Sequence, residues 1–206
     1  MKYDSPLIKT LTTMANMLIV SFLWFACCLG IVTIIPSTAA LYHTCVKAVF
    51  IDEPNQKIVR CFFDSFRQAI KPGIILSIIC VVLGFLIYTG FDTGLQIYSL
   101  NSLGAAYMAL AVLFSLIFVA GLVYLSPVVS RFELDAGSAL RLALYFSSQK
   151  LIQTLWFVGL LCLLVYAIDL FPLFIVFLPA LYVDLIRGAI EKQFAKYIED
   201  NHLNEG

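Results

Sequence analysis

His43 and Lys47 stand four residues apart in one apolar stretch, and Asp184 and Arg187 stand three apart in another. Either spacing puts both members of a pair on one helix face. Ionisable side chains in apolar helices are costly, so they mark polar cavities, relays or internal ion pairs. A second signal lies just upstream, where Pro36 interrupts an apolar run and Thr33, Ser37 and Thr38 can satisfy the backbone groups it frees. An interrupted apolar segment is a sequence pointer to a membrane binding site. Thr33, Pro36, Thr38, His43, Lys47, Asp184 and Arg187 therefore form the candidate polar membrane site. The competing reading is structural. His43 would donate one hydrogen bond, Lys47 would reach headgroups, Asp184 and Arg187 would pair with each other or with Lys47, and Pro36 would mark a tight turn between two spans.

Other chemistry finds little support. The chain has no G-x-x-x-x-G-K-[ST] phosphate cradle and no H-E-x-x-H or paired Cys/His ligand set. Two histidines make a histidine-based metal site improbable. No G-x-S-x-G elbow prepares a nucleophile. The six cysteines include no C-x-x-C pair and fall mostly in apolar segments, which fits packing. The expectation is a protein that is not an enzyme and takes no cofactor. Net charge is zero, and nothing points to nucleic acid as a partner.

The elements that must position these residues follow from composition. Of 206 residues, 62% are hydrophobic and 13% charged, against about 25% charged in a soluble domain. So short a chain cannot bury that much apolar surface in water, which makes membrane lipid its expected solvent. The apolar stretch from Met14 to Ile35 is too long for a cleaved signal core of about 7–15 residues. A crossing helix needs about 20 apolar residues. Segments 14–35, 73–91, 105–129 and 151–169 qualify, 171–187 is a shorter fifth with Pro172 and Pro179, and 37–53 is the uncertain sixth.

Basic residues collect on the cytoplasmic side. Segments 92–104 and 169–172 hold Asp92 and Asp169 but no Lys or Arg and read as outer loops. Segments 54–72 and 130–150 and the tail carry the basic residues and read as inner. Counting 37–53 as a span brings Lys2 and Lys9 inside as well. The fold expected is thus an all-α, polytopic transmembrane helical bundle in a single domain over 1–206. Six spans are favoured, five being the alternative, with both termini cytoplasmic and amphipathic helices at the inner face.

Within the cytoplasmic amphipathic segment 54–72, Ile58, Val59, Phe62, Phe63, Phe66, Ala69 and Ile70 oppose Arg60, Asp64, Arg67 and Lys71. Arg60, Phe62, Phe63, Asp64, Phe66, Arg67 and Lys71 are the candidate partner or interface helix. A similar pattern places Ile190, Phe194 and Ile198 on one face of the tail, and Ser5 with Pro6 reads as a helix start. Ala105 and Ala109 make a small-xxx-small pair. An offset of 82 aligns Tyr42 with Tyr124, Val46 with Val128, Ser65 with Ser147 and Cys80 with Cys162. This is a weak parallel repeat, 37–91 against 119–173.

The run from Thr33 through Pro36 and Thr38 to Tyr42, followed by Phe62, Phe63, Asp64, Phe66 and Arg67, resembles the YesL-like family of bacterial integral membrane proteins of unknown function. The resemblance covers most of the chain and is most specific over 30–71. Gly30 stands where the family usually has Pro, and Ile35 where it usually has Gly. Family members are often encoded beside carbohydrate uptake systems and glycan-degrading enzymes. The resemblance therefore implies an accessory or transport-associated role at the bacterial plasma membrane, with a carbohydrate ABC uptake system as partner. It brings no catalytic residues. Asp135, Ala136 and Gly137 do not match the coupling loop of ABC permeases, which argues against a permease in its own right. The alternative is a regulatory or scaffold protein binding a cytoplasmic partner through its amphipathic helices.

Overall fold

A computed structural model describes residues 6–49, 58–98, 103–132, 134–171 and 177–200, and among these the regular structure is entirely helical. Seven α-helices follow in order: α1 (Pro6–Cys28), α2 (Ile34–Thr44), α3 (Ile58–Tyr98), α4 (Leu103–Arg131), α5 (Ala136–Gln149), α6 (Leu151–Leu170) and α7 (Leu178–Asp200). A single 3₁₀ turn, Ile31–Thr33, leads into α2, and a π-helical turn, Cys45–Val49, extends it. Four helical stretches are long and apolar enough to cross a membrane: Thr10–Cys28, Ile58–Ile97, Gly104–Arg131 and Leu151–Leu170.

α1 opens on Pro6, in a position where a missing N–H costs nothing. It ends seven residues before the expected end of the first span. The turn is made by 29–33, not by Pro36. Thr33 closes it, its N–H meeting the Gly30 carbonyl at 2.8 Å and its hydroxyl donating to the Cys27 carbonyl at 2.6 Å. Pro36 lies instead in the first turn of α2, where proline is tolerated because those N–H groups have no partner within the helix. Trp24 Nε1 donates to Thr38 Oγ1 at 3.1 Å, which fixes α1 and α2 as an antiparallel hairpin.

α2 is buried on nearly every side, as expected of a helix apolar all round. Its start is therefore starved of water, and Thr33 offers no side-chain cap. Ser77 on α3 supplies the acceptor, taking the Ile35 N–H at 3.3 Å. α7 begins in the same way. Pro179 needs no partner in its first turn, and the Ala180 N–H donates to Ser21 Oγ on α1 at 3.3 Å. Both serines are buried.

The segments expected as separate amphipathic helix and span are one helix. α3 has 41 residues, about 61 Å at the α-helical rise, twice the roughly 30 Å of hydrocarbon. Pro72 sits within it, at the junction of its polar and apolar parts. α2 packs along its first half, where Ser65, Ala69, Gly73 and Ser77 recur every four residues and are all buried. Such small residues let backbones approach closely. A Cβ on Gly73 would lie 2.8 Å from Pro36 Cδ. The second half of α3 pairs with α4. The small-residue contact falls on this stripe, whereas Ala105 and Ala109 are exposed.

Of the expected spans, 73–91, 105–129 and 151–169 lie inside α3, α4 and α6. The stretch 37–49 is helical and largely enclosed and is not among the four stretches long and apolar enough to cross, and 50–53 fall outside the described residues, as do 54–57, 172–176 and Ser5. The described part of 171–187 is the start of α7. On the amphipathic stretch, Phe62 and Ala69 are buried and Phe66 is half-buried, but Val59 and Phe63 are exposed. The buried face is narrower than the apolar face because only the small-residue strip meets α2.

Asp135 caps α5, its carboxylate accepting the Ser138 N–H at 3.4 Å. The Ser138 hydrogen bonds hold that carboxyl below its ordinary value. The ionised cap is therefore complete above the ordinary carboxylate range and is lost as pH falls through the lowered value. Amide protection in the first turn of α5, taken relative to the intrinsic exchange rate, is expected to fall as the pH drops below the ordinary carboxylate range. Asp135→Asn, which caps equally well without a charge, removes that pH dependence; an unchanged profile would show that another group governs it.

A second expectation concerns the glycines. Gly73→Ala forces α2 off α3 and lowers stability by about 1–3 kcal/mol. Gly84→Ala meets nothing within 4 Å and gains up to about 1 kcal/mol from helix propensity. Ser77→Ala and Ser21→Ala each strand a buried N–H, at about 1–3 kcal/mol. Denaturation of the detergent-solubilised variants measures all four.

Candidate functional site

The structure separates the seven candidate residues into two places, one at the start of α2 and one at its far end, where α7 brings Asp184 and Arg187. Thr33, Pro36 and Thr38 serve the turn and its packing. His43 lies ten residues beyond Thr33, about 15 Å along the helix. It falls beside α4 and α7, and there a polar junction forms.

At this junction Tyr42 Oη donates to Glu191 Oε1 of α7 at 2.9 Å. Arg131 and Arg187 both stand within electrostatic reach of the Tyr42 hydroxyl. His43 Nδ1 lies 3.3 Å from the Ser130 carbonyl of α4. A carbonyl only accepts, so Nδ1 carries the proton. Arg187 Nε pairs with Asp184 Oδ1 at 2.9 Å, both side chains half-buried. Lys47 is exposed on the π-helical turn but near enough for its charge to act on His43. The structure thus brings His43, Lys47, Asp184 and Arg187 into one neighbourhood and adds Tyr42, Ser130, Arg131 and Glu191.

A second polar knot is largely buried. Thr154 Oγ1 donates to the Ser147 carbonyl at 2.9 Å and lies 3.4 Å from Tyr124 Oη. Gln193 Nε2 donates to Gln153 Oε1 at 2.9 Å and approaches Tyr124 Oη at 3.4 Å. Around it Tyr124 stacks on Phe146 and tilts against Phe157, and Phe146 tilts against Phe194, with centroids 4.9–6.5 Å apart. Tyr42 and Tyr124, which the 82-residue offset aligns, both end at α7, two residues apart on that helix.

Sequence reading missed Glu191 and Gln193 because they sit in a charged tail that looks solvated. Their signal is position: on α7 they flank the buried Ile190 and Phe194. The missing information is which helix lies opposite, and a one-dimensional pattern does not hold it.

The candidate interface helix is positioned by α3. Arg60 and Asp64 are exposed and stand 3.7 Å apart across one turn, a surface pair of little energetic weight. Arg67, Lys71 and Phe63 are exposed, while Phe62 stacks on Phe66 beneath them.

The four long apolar helices among the described residues are those of a membrane-embedded helical protein. Residues 17–91 match the family described as Protein of unknown function, DUF624. The YesL-like family is a DUF624 family, so this match, which runs from within α1 through most of α3 and covers less than half of the chain, is consistent with the resemblance of the sequence. Neither the curated proteins nor the solved structures contain a match.

The Tyr42–Glu191 bond predicts a measurable coupling. Tyr42→Phe is expected to cost about 1.5–3 kcal/mol, as for a hydrogen bond to a charged acceptor. Glu191→Gln on the Tyr42→Phe background should cost much less than on the wild type. Additive losses in this double-mutant cycle would show that the two groups do not interact.

Proposed function

We propose that the protein is an accessory membrane component of a carbohydrate uptake system in the bacterial plasma membrane. It engages the uptake complex through the polar end of α3. The length of α3 carries this reading. A helix of 41 residues exceeds the roughly 20 that a crossing uses, so the stretch from Ile58 to Lys71 is left over. That stretch presents Arg60, Arg67 and Lys71 together with the exposed apolar side chains Val59 and Phe63. Aromatic and arginine side chains on an accessible face are the residue types that anchor protein interfaces. The carbohydrate link comes from the family resemblance.

In this reading the chain passes six times, with both termini on the cytoplasmic side. α2 and α7 return the chain within the protein, while α1, α3, α4 and α6 face lipid. The distribution of Lys and Arg supports that orientation. A purely regulatory or scaffolding role rests on the same face of α3 and differs in the partner.

Copurification from native membranes separates the two. The wild-type protein is expected to recover a sugar-uptake complex. Arg60→Glu with Arg67→Glu and Phe63→Ala should lower recovery by about tenfold or more while membrane insertion stays intact. Normal sugar uptake in a deletion strain would remove the uptake role. Recovery of a different partner, equally sensitive to the triple variant, would favour scaffolding.

A further inference from the structure

An apolar groove of about 530 Å³ runs between α3 and α4, lined by Cys80 and Leu83 on one side and Gly121 and Leu125 on the other. Leu140 and Leu144 of α5 line it at one end. Gly121 holds the passage open, for a Cβ there would stand 3.2 Å from Leu144 Cδ2. Along α4 the groove extends from Tyr107 to Leu125, about 27 Å at the helical rise and close to the hydrocarbon thickness. A groove of this length with an almost wholly apolar lining suits an extended hydrocarbon chain.

Charge orients the occupant. Arg141 is the one charged residue of α5. It follows Leu140 directly, is exposed, and makes no ion pair among the described residues. Arg67 and Lys71 belong to the same end of α3. The other end of the groove has Asp92, whose carboxylate accepts from Gln96 Nε2 at 3.0 Å. An acidic headgroup is attracted to the first end and repelled from the second.

We propose that this groove holds an acyl chain of an anionic phospholipid whose headgroup meets Arg141. Bulk lipid solvates the exposed faces of α1 and α6 without preference. The groove lipid is instead selected by charge and held by α5. That helix bridges the α3–α4 hairpin and the rest of the core, so an occupied groove steadies the joint between them.

The test uses the full chain in phosphatidylcholine vesicles containing a trace of phosphatidylglycerol with a photoactivatable acyl chain. Crosslinks mapped by mass spectrometry should concentrate around Leu83, Gly121 and Leu125. Arg141→Gln should lower them about fivefold, the worth of one basic residue near an anionic surface, and Arg141→Lys should retain them. Arg141 is exposed, so both variants keep the fold, which circular dichroism verifies. Labelling spread evenly over α1 and α6 would overturn the proposal. So would equal groove labelling by a photoactivatable phosphatidylcholine, or no change in Arg141→Gln.

Discussion

Two helices of this protein have a first-turn backbone N–H buried among side chains, and satisfying those groups is the constraint around which the rest is arranged. Each start uses the same two devices. A proline in the first turn, Pro36 or Pro179, removes one donor. A buried serine on a neighbouring helix, Ser77 or Ser21, accepts another. In apolar surroundings an unmade hydrogen bond of this kind costs a large part of a domain's net stability. The serines can reach only if the helices lie close, and so Gly73 has no side chain where Pro36 meets it. Placing α2 there sets the position of Tyr42 and His43 two turns further on. Those residues in turn select where α7 and the end of α4 can dock.

The interior that results is more polar than the composition implies. Glu191 meets Tyr42, Gln193 meets Gln153, and Thr154 bridges α5 and α6 through backbone carbonyls. Gln193 Oε1 is buried without a hydrogen-bond partner. Networks of this kind make the packing specific, because a shifted α7 would leave several such groups unpaired at once. Among the described residues, the lipid-facing parts of α3 and α4 meet mainly through apolar side chains. Specificity of assembly therefore belongs to the α1–α2 hairpin, the first half of α3 and α7, and the family match covers the first two of these.

Much of this is legible in the sequence. Long apolar runs identify α1, α3, α4 and α6, and the i, i+3 spacing of Asp184 and Arg187 anticipates their ion pair. The periodicity of Ile190 and Phe194 identifies the buried face of α7. The misplaced turn has a simple cause. Proline is compatible both with a turn and with the first turn of a helix, and only the partner across from it decides between them. The union of amphipathic segment and span in α3 is hidden for a similar reason, since Pro72 reads as a boundary in isolation. Glu191 and Gln193 look solvated until α2 and α4 are placed beside them.

The depth at which α2 meets α3 is the point on which the arrangement turns, and paired cysteines in a cysteine-free background read it directly. Equal-depth spans would bring residue 35 beside the far end of α3, near Phe91. The docking described here brings it beside Ser77, whose hydroxyl takes the Ile35 N–H at 3.3 Å. Oxidation in native membranes is therefore predicted to join Ile35→Cys to Ser77→Cys and to leave Ile35→Cys with Phe91→Cys unlinked. A crosslink to position 91 with none to position 77 would contradict the arrangement.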